Sequence, residues 1–314
     1  MSGMVRSRIW VKTPLRNCVP SVALLAVLLT GCPSKSDREK SERVIMLADL
    51  PLETNAPNLD ELIPRTSKSG QAILVLVADL GLAPADGEAR TAFEAVKAQN
   101  DDVVRVLLDI SASRNRAEAT RFHIMETPVL FCLSSKGVIV SRDEKPITQE
   151  LVRKRMSEIV PLSRELDTQL DALEKPVAAN SGDATAQLAL TDFLLAQQNA
   201  REAIPHLETV AHSESSETAP RVRAWVDLAR AHLWIAEPEK ARHEAKDLMD
   251  ALGPAVPEAL AGGKLVLGTQ DTNGKRFKLA REEFEAAIAA APDSAYAKQA
   301  GEALAKLPPP VDGK

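Results

Sequence analysis

Histidine and cysteine side chains can bind metals or act in catalysis when they are suitably spaced along the sequence. No two of its five histidines stand at i and i+4, and none occurs in an HExxH or a Cys-His arrangement: His123, His206, His212, His232 and His243. Metal sites usually need such spacings. The sequence also has no phosphate-binding glycine loop and no GxSxG nucleophile motif. We therefore expect no metal, no cofactor and no catalytic residue, and hence no enzyme.

Cys32, near the N-terminus, follows a recognisable sequence pattern. Four basic residues and no acidic residue accompany an apolar run at Val19–Leu29, which is the pattern of an export signal. The run is too short to span a membrane, which takes about 20 apolar residues. It ends in Leu29-Thr30-Gly31-Cys32, which resembles the lipobox of bacterial lipoproteins. The resemblance implies a signal peptide at 1–31 and lipid, such as palmitate, on Cys32. An ordinary secretory signal and a buried helix with a chance cysteine are the alternatives.

Removal of residues 1–31 would change the charge of the protein. It takes away four of the 39 basic residues and none of the 44 acidic ones, which leaves 35 against 44 and a net charge of −9. An acidic surface repels phosphate backbones, so we expect no nucleic-acid partner. Cys132 would remain as the free thiol, without a partner for an intramolecular disulfide. Residues 32–42 are polar and charged, which predicts a flexible tether.

The predicted anchor places the protein outside the cytoplasm. A lipoprotein faces the periplasm or the cell exterior, and it needs no transmembrane helix because its acyl chains enter the membrane. Pro33 follows the cysteine, where the lipoproteins that enteric bacteria keep in the inner membrane have Asp. This favours the outer membrane in an organism that has one.

Apolar runs and helical patterns divide the remaining chain into two regions. Before residue 141, helical patterns alternate with strand-type runs at Ala72–Ala78, Val103–Leu108 and Val129–Leu133. A turn at Ser134–Gly137 makes the last run the first strand of a hairpin. A βαβ unit, a hairpin and a closing helix at Thr148–Ile159 together predict an α/β sandwich.

The order of these elements and the stretch FHIMETPVLFCLSSKGVIVSR resemble thioredoxin over residues 43–160. The resemblance implies a cis peptide bond between Thr127 and Pro128 and a glycine turn at Gly137. About 5–6% of X-Pro bonds in folded proteins are cis, so such a proline marks a required backbone shape.

The redox motif of thioredoxin is missing from this chain. Its two cysteines would stand at Leu82 and Ala85, in the sequence Leu82-Ala83-Pro84-Ala85. Thiol–disulfide exchange by the usual mechanism is excluded there, because no thiolate can attack. Cys132 lies on a predicted strand beside Phe131. It is either a small buried apolar residue or a redox thiol that works with the surface around Pro128.

The C-terminal region contains three segments that align with one another, beginning at Ala186, Ala224 and Gly262. Equivalent alanines at 203, 241 and 280 are 38 and 39 residues apart. The segments resemble tetratricopeptide repeats (TPR) through Trp225, Leu228, Ala229, Gly268, Ala280, Phe284 and Pro292. The resemblance implies an all-α repeat domain with a capping helix at 178–307, after a helical connector at 161–177 and before a disordered tail at 308–314. A plain bundle of helical hairpins is the alternative.

Together the two regions resemble thioredoxin–TPR co-chaperones, or chaperedoxins, in which the repeats hold client or partner proteins. The resemblance implies a membrane-anchored, redox-inactive adaptor or co-chaperone that binds proteins or peptides in the cell envelope. By register, the first helices should present six residues to a concave groove: Leu188, Asp192, Leu195, Val226, Arg230 and Trp234. Trp234 is either the anchor for a peptide or a contact with the neighbouring domain. The alternative functions are an envelope thiol-redox protein that uses Cys132 and a structural lipoprotein that braces an envelope complex.

Overall fold

The computed structural model describes residues 59–81, 84–96, 102–111, 115, 120, 122–144, 146–214 and 216–309. These residues belong to one compact unit. The predicted signal peptide, Cys32, the tether, Leu82 and residues 310–314 lie outside them. Of the described helices, none has both the length and the apolar character that crossing a membrane requires.

The first region is built on a mixed sheet of four strands. These are β1 (Ala72–Ala78), β2 (Val103–Asp109), β3 (Val129–Leu133) and β4 (Ile139–Glu144). Their order in the sheet is β2-β1-β3-β4. β1 and β2 are parallel, whereas β3 is antiparallel to both β1 and β4. This is the βαβ unit followed by a hairpin that the apolar runs predict.

Helices cover both faces of this sheet. α1 (Leu59–Ser69) packs against one face, and α2 (Pro84–Ala95) packs against the other, together with the first half of α3 (Gln149–Ala179). All seven residues of β1 are buried. A central strand that is covered on both faces needs apolar residues at every position, which explains the unbroken run AILVLVA.

Helix α3 joins the two regions of the molecule. It has 31 residues and begins at the N-cap Thr148, whose hydroxyl accepts a hydrogen bond from the N–H of Leu151 at 3.2 Å. The helix continues through Pro161 and Pro176, so the predicted closing helix and the predicted connector form one element. Its first half packs in the core of the sheet, and Leu170 packs in the core of the helical region.

The second region consists, in its described part, of seven helices. They are α4 (Ala184–Ala196), α5 (Ala200–Ala211), α6 (Thr218–Trp234), α7 (Pro238–Ala251), α8 (Pro257–Asn273), α9 (Phe277–Ala290) and α10 (Ala295–Leu304). Helices α4/α5, α6/α7 and α8/α9 pack as three hairpins, and α10 packs against α8 and α9. The first helices α4, α6, α8 and α10 also contact one another in that order. An α/β region is thus followed by a helical region, as the sequence predicts.

The three helical hairpins are closed by the same turn. Gln198, Ala236 and Lys275 have φ angles of 62°, 60° and 58°, in the left-handed region that commonly ends a helix. The N–H of each donates to the carbonyl three residues earlier, and the second helix of each hairpin begins two residues later. These residues are 38 and 39 residues apart, which are the intervals that the aligned sequence segments show. The repetition in sequence is therefore also a repetition in backbone conformation.

The first of these turns connects the helical region to the sheet. The Asn199 side chain donates to the carbonyl of Gly137 at 3.1 Å and accepts from the N–H of Ile139 at 3.2 Å. At the equivalent positions of the other turns, Glu237 and Arg276 pair instead with His232 and Asp271 of their own helices. Asn199 thus binds the β3–β4 hairpin, whereas the equivalent residues of the other two turns bind side chains of the preceding helix.

The β3–β4 hairpin is also held by α3 and α1. The backbone N–H and the hydroxyl of Ser135 donate to Asp167 at 3.2 and 2.7 Å, and the hydroxyl of Thr66 donates to the Ser135 carbonyl at 2.7 Å. Gly137 has a φ of 82°, which favours glycine in this turn. The contacts of Asn199 and of α3 therefore fix the sheet relative to the helical array.

Candidate functional site

A row of charged side chains follows one side of α6. Arg223, Asp227 and Arg230 stand at i, i+4 and i+7, which places them on one face of the helix. Nε of Arg223 is 3.5 Å from Oδ2 of Asp227, and Nη1 of Arg230 is 3.7 Å from Oδ1 of the same carboxylate. The side chains of the two arginines are 46% and 36% exposed. Most other residues of α6 are buried, so the row is a narrow polar strip on an otherwise packed helix.

Neighbouring first helices contribute to the same surface. Asp192 of α4 pairs with Arg223, and Gln299 of α10 accepts a hydrogen bond from Arg230. Helix α8 lies between α6 and α10 and packs against both. The bond between Arg230 and Gln299 therefore joins α6 to α10, which both pack on α8.

A glycine of α8 allows this close approach. A Cβ atom at Gly262 would lie 2.6 Å from Cγ2 of Val226 on α6 and 3.6 Å from the ring of Tyr296 on α10. We call the surface that these helices form the first-helix face; it consists of Asp192, Arg223, Asp227, Arg230, Tyr296 and Gln299.

Burial changes the acidity of two groups on the first-helix face. It raises the pKa of the Asp227 carboxyl, although Arg230 and Arg223 oppose the shift. Burial, and next the charge of Asp227, raise the pKa of Tyr296 to about 12, so its hydroxyl stays protonated at neutral pH. The face has two arginines and two aspartates, whose formal charges balance. It can therefore donate and accept hydrogen bonds without favouring one sign of charge.

The structure brings together two of the six predicted groove residues, Asp192 and Arg230. Val226 is fully buried between helices, and Leu188 is buried in the same core. Leu195 is partly buried against that core. The prediction that Leu188 and Val226 face a groove is wrong, because a first helix that is packed on several sides turns its apolar residues to the core.

Trp234, the sixth predicted groove residue, contacts the sheet region. Its ring stacks on His123 with centroids 4.7 Å apart and an angle of 24° between the planes. His123 lies in the loop that precedes β3, so the contact joins the two regions. Trp234 therefore packs against the neighbouring region, which was the alternative to a peptide anchor.

Sequence reasoning missed four residues of the first-helix face: Arg223, Asp227, Tyr296 and Gln299. The charge row of α6 was a usable signal, since alternating charges at helical spacing indicate one polar side. Tyr296 and Gln299 had no such signal, because they reach the site through packing of α10 on α8.

Cys132 lies in the core of the sheet region. Its side chain is on the face of β3 that packs against α2 and α3, and 1% of the residue is exposed. Burial raises the pKa of the Cys132 thiol to about 11. A reactive cysteine needs access and a lowered pKa. Cys132 has neither.

The loop before β3 contacts the first turn of α2. The peptide bond between Thr127 and Pro128 is cis, at the position for which the sequence predicts one. The Thr127 hydroxyl donates to the buried carboxylate of Asp86 at 3.2 Å, and Asp86 directly follows Ala85 in the first turn of α2. The groups that meet here are a hydroxyl and a carboxylate, which do not exchange disulfides.

Metal-binding groups do not cluster in the described residues: no three His, Cys, Asp or Glu side chains there could hold an ion. Two of the histidines are hydrogen-bonded to other side chains within the helical array, and His243 and His212 lie 3.4 and 3.9 Å from the carboxylates of Asp247 and Glu244. Nδ1 of His206 is 2.7 Å from the Gln187 amide oxygen, and Nδ1 of His232 is 2.9 Å from the Glu237 carboxylate.

Comparison with models of protein families finds no family that matches this chain. A comparison with curated proteins also finds no match. The geometry of the first-helix face and the environment of Cys132 are therefore the basis on which a function can be proposed.

Proposed function

We propose that this protein is a membrane-anchored adaptor, which binds other proteins in the cell envelope through tetratricopeptide-like repeats. The observation that carries this proposal is the convergence of polar side chains from α4, α6 and α10 on the first-helix face. Protein-binding surfaces combine packed backbones with accessible donors and acceptors, and arginine and tyrosine are enriched on them. The first-helix face has these properties.

The regularity of the helical region supports a repeat architecture. In such arrays each repeat packs on its neighbours, and the aligned first helices form one extended surface. Three hairpins with the same left-handed turn and a chain of contacts between first helices have this organisation. A capping role for α10 also fits, because it covers α8 and α9 after the last hairpin.

The sheet region would serve as a thioredoxin-like support without redox activity. Its strand order and the cis bond before Pro128 are consistent with that resemblance. The thiol-redox alternative requires an accessible and acidic Cys132, whereas the thiol is buried and its pKa is raised to about 11. The contacts that Asn199 makes to the β3–β4 hairpin let the sheet region hold the first repeat in place.

The membrane anchor of this proposal is lipid on Cys32. We expect the Cys32→Ser variant to leave the membrane fraction and to lack the mass of the lipid, whereas Cys132→Ser should stay with the membrane. A variant at Cys32 that remains membrane-bound with unchanged mass would refute the anchor.

Capture of crosslinked partners from detergent-solubilised membranes tests the binding function. The test variant is Arg230→Glu, which places a second negative charge beside Asp227. The matched control is Lys246→Glu, the same charge reversal on an exposed position of α7. We expect a defined set of proteins to be lost with Arg230→Glu and retained with Lys246→Glu, while circular dichroism shows equal helix content. An identical set of captured proteins from both variants would contradict the proposal.

A further inference from the structure

We propose that the segment Pro310-Val311-Asp312 binds to the first turn of α9, with Val311 on the ring of Phe277 and the carboxylate of Asp312 beside Lys278. The interaction surface is the N-terminal end of α9, and its occupant is the segment that follows the described residues. The inference is independent of the proposed adaptor function, because this surface is separate from the first-helix face.

The direction of α10 brings the end of the described chain to the beginning of α9. A Cβ atom at Gly301 of α10 would lie 3.9 Å from Cδ1 of Ile288 on α9. Seven residues later, the carbonyl of Pro308 accepts a hydrogen bond from Nη2 of Arg281 at 3.0 Å. The chain therefore runs from the level of Ile288 towards Phe277, the first residue of α9.

Phe277 belongs to the side of α9 that α10 covers. Positions 277, 281, 284 and 288 are spaced at i, i+4, i+7 and i+11, which is one side of a helix. Phe284 and Ile288 pack in a core to which Leu304 and Leu307 also belong. Phe277 lies one turn beyond Arg281 on this side and is 37% exposed. The apolar stripe of α9 thus continues past the residues that cover its other end.

The next residues of the chain can reach Phe277. Phe277 and Arg281 are four positions apart, which is about 6 Å along the helix axis. Prolines at 308, 309 and 310 favour the extended polyproline conformation, which advances about 3.1 Å per residue. Val311 would therefore lie up to about 9 Å beyond Pro308, within reach of the Phe277 ring. The prolines also limit the backbone entropy that binding would cost.

The charges at the beginning of α9 complement Asp312. Lys275 and Lys278 are exposed, whereas Arg276 is hydrogen-bonded to Asp271. The N-cap residue Arg276 makes no side-chain hydrogen bond to the first turn. A carboxylate near a helix N-terminus is stabilised by the N–H groups of the first turn and by the helix dipole. Asp312 is the acidic residue of the segment and would supply this carboxylate.

The acidic residues of the neighbouring elements lie away from this path. Three of them follow Arg281 along α9 and so lie on the far side of it from Phe277: Glu282, Glu283 and Glu285. On α10, Glu302 follows Gly301, which is at the level of Ile288. At the end of α8, Asp271 is buried and pairs with Arg276. Asp312 would therefore meet Lys278 and not a like charge.

The test is disulfide crosslinking of the full chain in detergent, with Lys278→Cys and Asp312→Cys introduced together. Cys132→Ala is the background, and mass spectrometry of the linked peptides identifies the bond. The control pair is Glu282→Cys with Asp312→Cys. Glu282 is exposed and adjoins Arg281, so it is as close to Pro308 as Lys278 is, but it lies away from Phe277.

Three further variants of the test pair separate binding from mere proximity. Val311→Ser and Phe277→Ser remove the apolar contact and leave the bond between Arg281 and Pro308. Leu279→Ser is the matched control, because Leu279 is also exposed, at 47%, but is two positions from Phe277 and hence on the other side of the helix.

We expect the 278–312 pair to form a disulfide and the 282–312 pair to give about fivefold less. Val311→Ser and Phe277→Ser should each lower the yield of the 278–312 pair about fivefold, since loss of one apolar contact changes an equilibrium by about this factor. Leu279→Ser should leave the yield unchanged. Equal yields at positions 278 and 282, or a yield that Val311→Ser and Phe277→Ser do not lower, would overturn the inference.

Discussion

The sheet region and the helical array use their polar groups in different ways. In the sheet region polar side chains bind one another and the backbone inside the fold, as Thr127 does with Asp86 and Ser135 with Asp167. In the helical array, charged groups from separate helices meet on a partly exposed surface, the first-helix face. The first arrangement stabilises structure, whereas the second leaves donors and acceptors for a partner.

The proposed adaptor function divides the roles of the two regions along this difference. The free cysteine of the sheet region, Cys132, is buried in the core. The helical array has no reactive group of that kind, but it has the accessible polar surface. Under the proposed adaptor function, the sheet region is the support and the helical array is the binding region.

Phe131→Ala should have the largest effect on stability and tests whether the regions unfold together. Phe131 is 1% exposed and its ring centroid is 5.3 Å from that of Phe122. Loss of a buried phenyl ring costs about 3–5 kcal/mol. Because Asn199 and α3 join the regions, we expect hydrogen exchange to accelerate in α6 as well as in β1. Faster exchange in β1 alone would show that the helical array folds independently. It would contradict the proposal that the sheet region supports the array.

Cys132 should make the sheet region sensitive to alkaline pH. The pKa of its thiol rises from 9.0 to about 11 on folding, so the unfolded chain ionises first. Its contribution to stability is complete below pH 9 and is lost as the pH rises from about 9 to about 11. The shift corresponds to about 2–3 kcal/mol. Chemical denaturation at several pH values should show this loss in the native sequence and a smaller loss in Cys132→Ala. Equal pH profiles would place the thiol in contact with solvent.

Asn199→Ala should weaken the joint between the two regions. It leaves the carbonyl of Gly137 and the N–H of Ile139 without their side-chain partner, and an unsatisfied buried group costs about 1–3 kcal/mol. We expect calorimetry to show a lower melting temperature and a broader transition. Arg201→Ala, an exposed change two residues further on, is the control. A single sharp transition with an unchanged midpoint would mean that α3 alone holds the regions together.

Asp183→Ala should have the smallest effect and confine it to the helical array. The Asp183 carboxylate caps α4 by accepting from the N–H groups of Thr185 and Ala186 at 2.9 and 3.1 Å. Loss of such a cap costs about 1 kcal/mol. Asp183→Asn keeps an acceptor and should recover most of the stability. Hydrogen exchange should accelerate in α4 and not in β1; the opposite pattern would contradict a separation of roles between the regions.

The elements of the sheet region could be predicted well where burial alone determines the sequence. The predicted strands at Ala72–Ala78 and Val129–Leu133 have the bounds that the structure shows, because a strand covered on both faces must be apolar throughout. The sequence predicts a closing helix and a helical connector as separate elements, whereas α3 is continuous. Pro161 is an unfavourable residue inside a helix, and local preference does not reveal that packing on both regions keeps α3 continuous.

The candidate site could be predicted only in part. The repeat interval and the charges of Asp192 and Arg230 can be read from the sequence. The sequence of α6 does not show which side of the helix packs against α8. Val226 is buried because α8 approaches at Gly262, and the stack of Trp234 on His123 joins residues that are distant in the chain. Contacts of this kind depend on how whole helices are placed, which periodicity does not encode.

The most direct measurement is crosslinked capture from membranes with two variants side by side, Arg230→Glu on the first-helix face and Cys132→Ala in the sheet core. If the helical array is the binding region, Arg230→Glu loses the captured proteins and Cys132→Ala keeps them. If Cys132→Ala loses them and Arg230→Glu keeps them, function resides in the sheet region and the assignment of binding to the helical array is wrong.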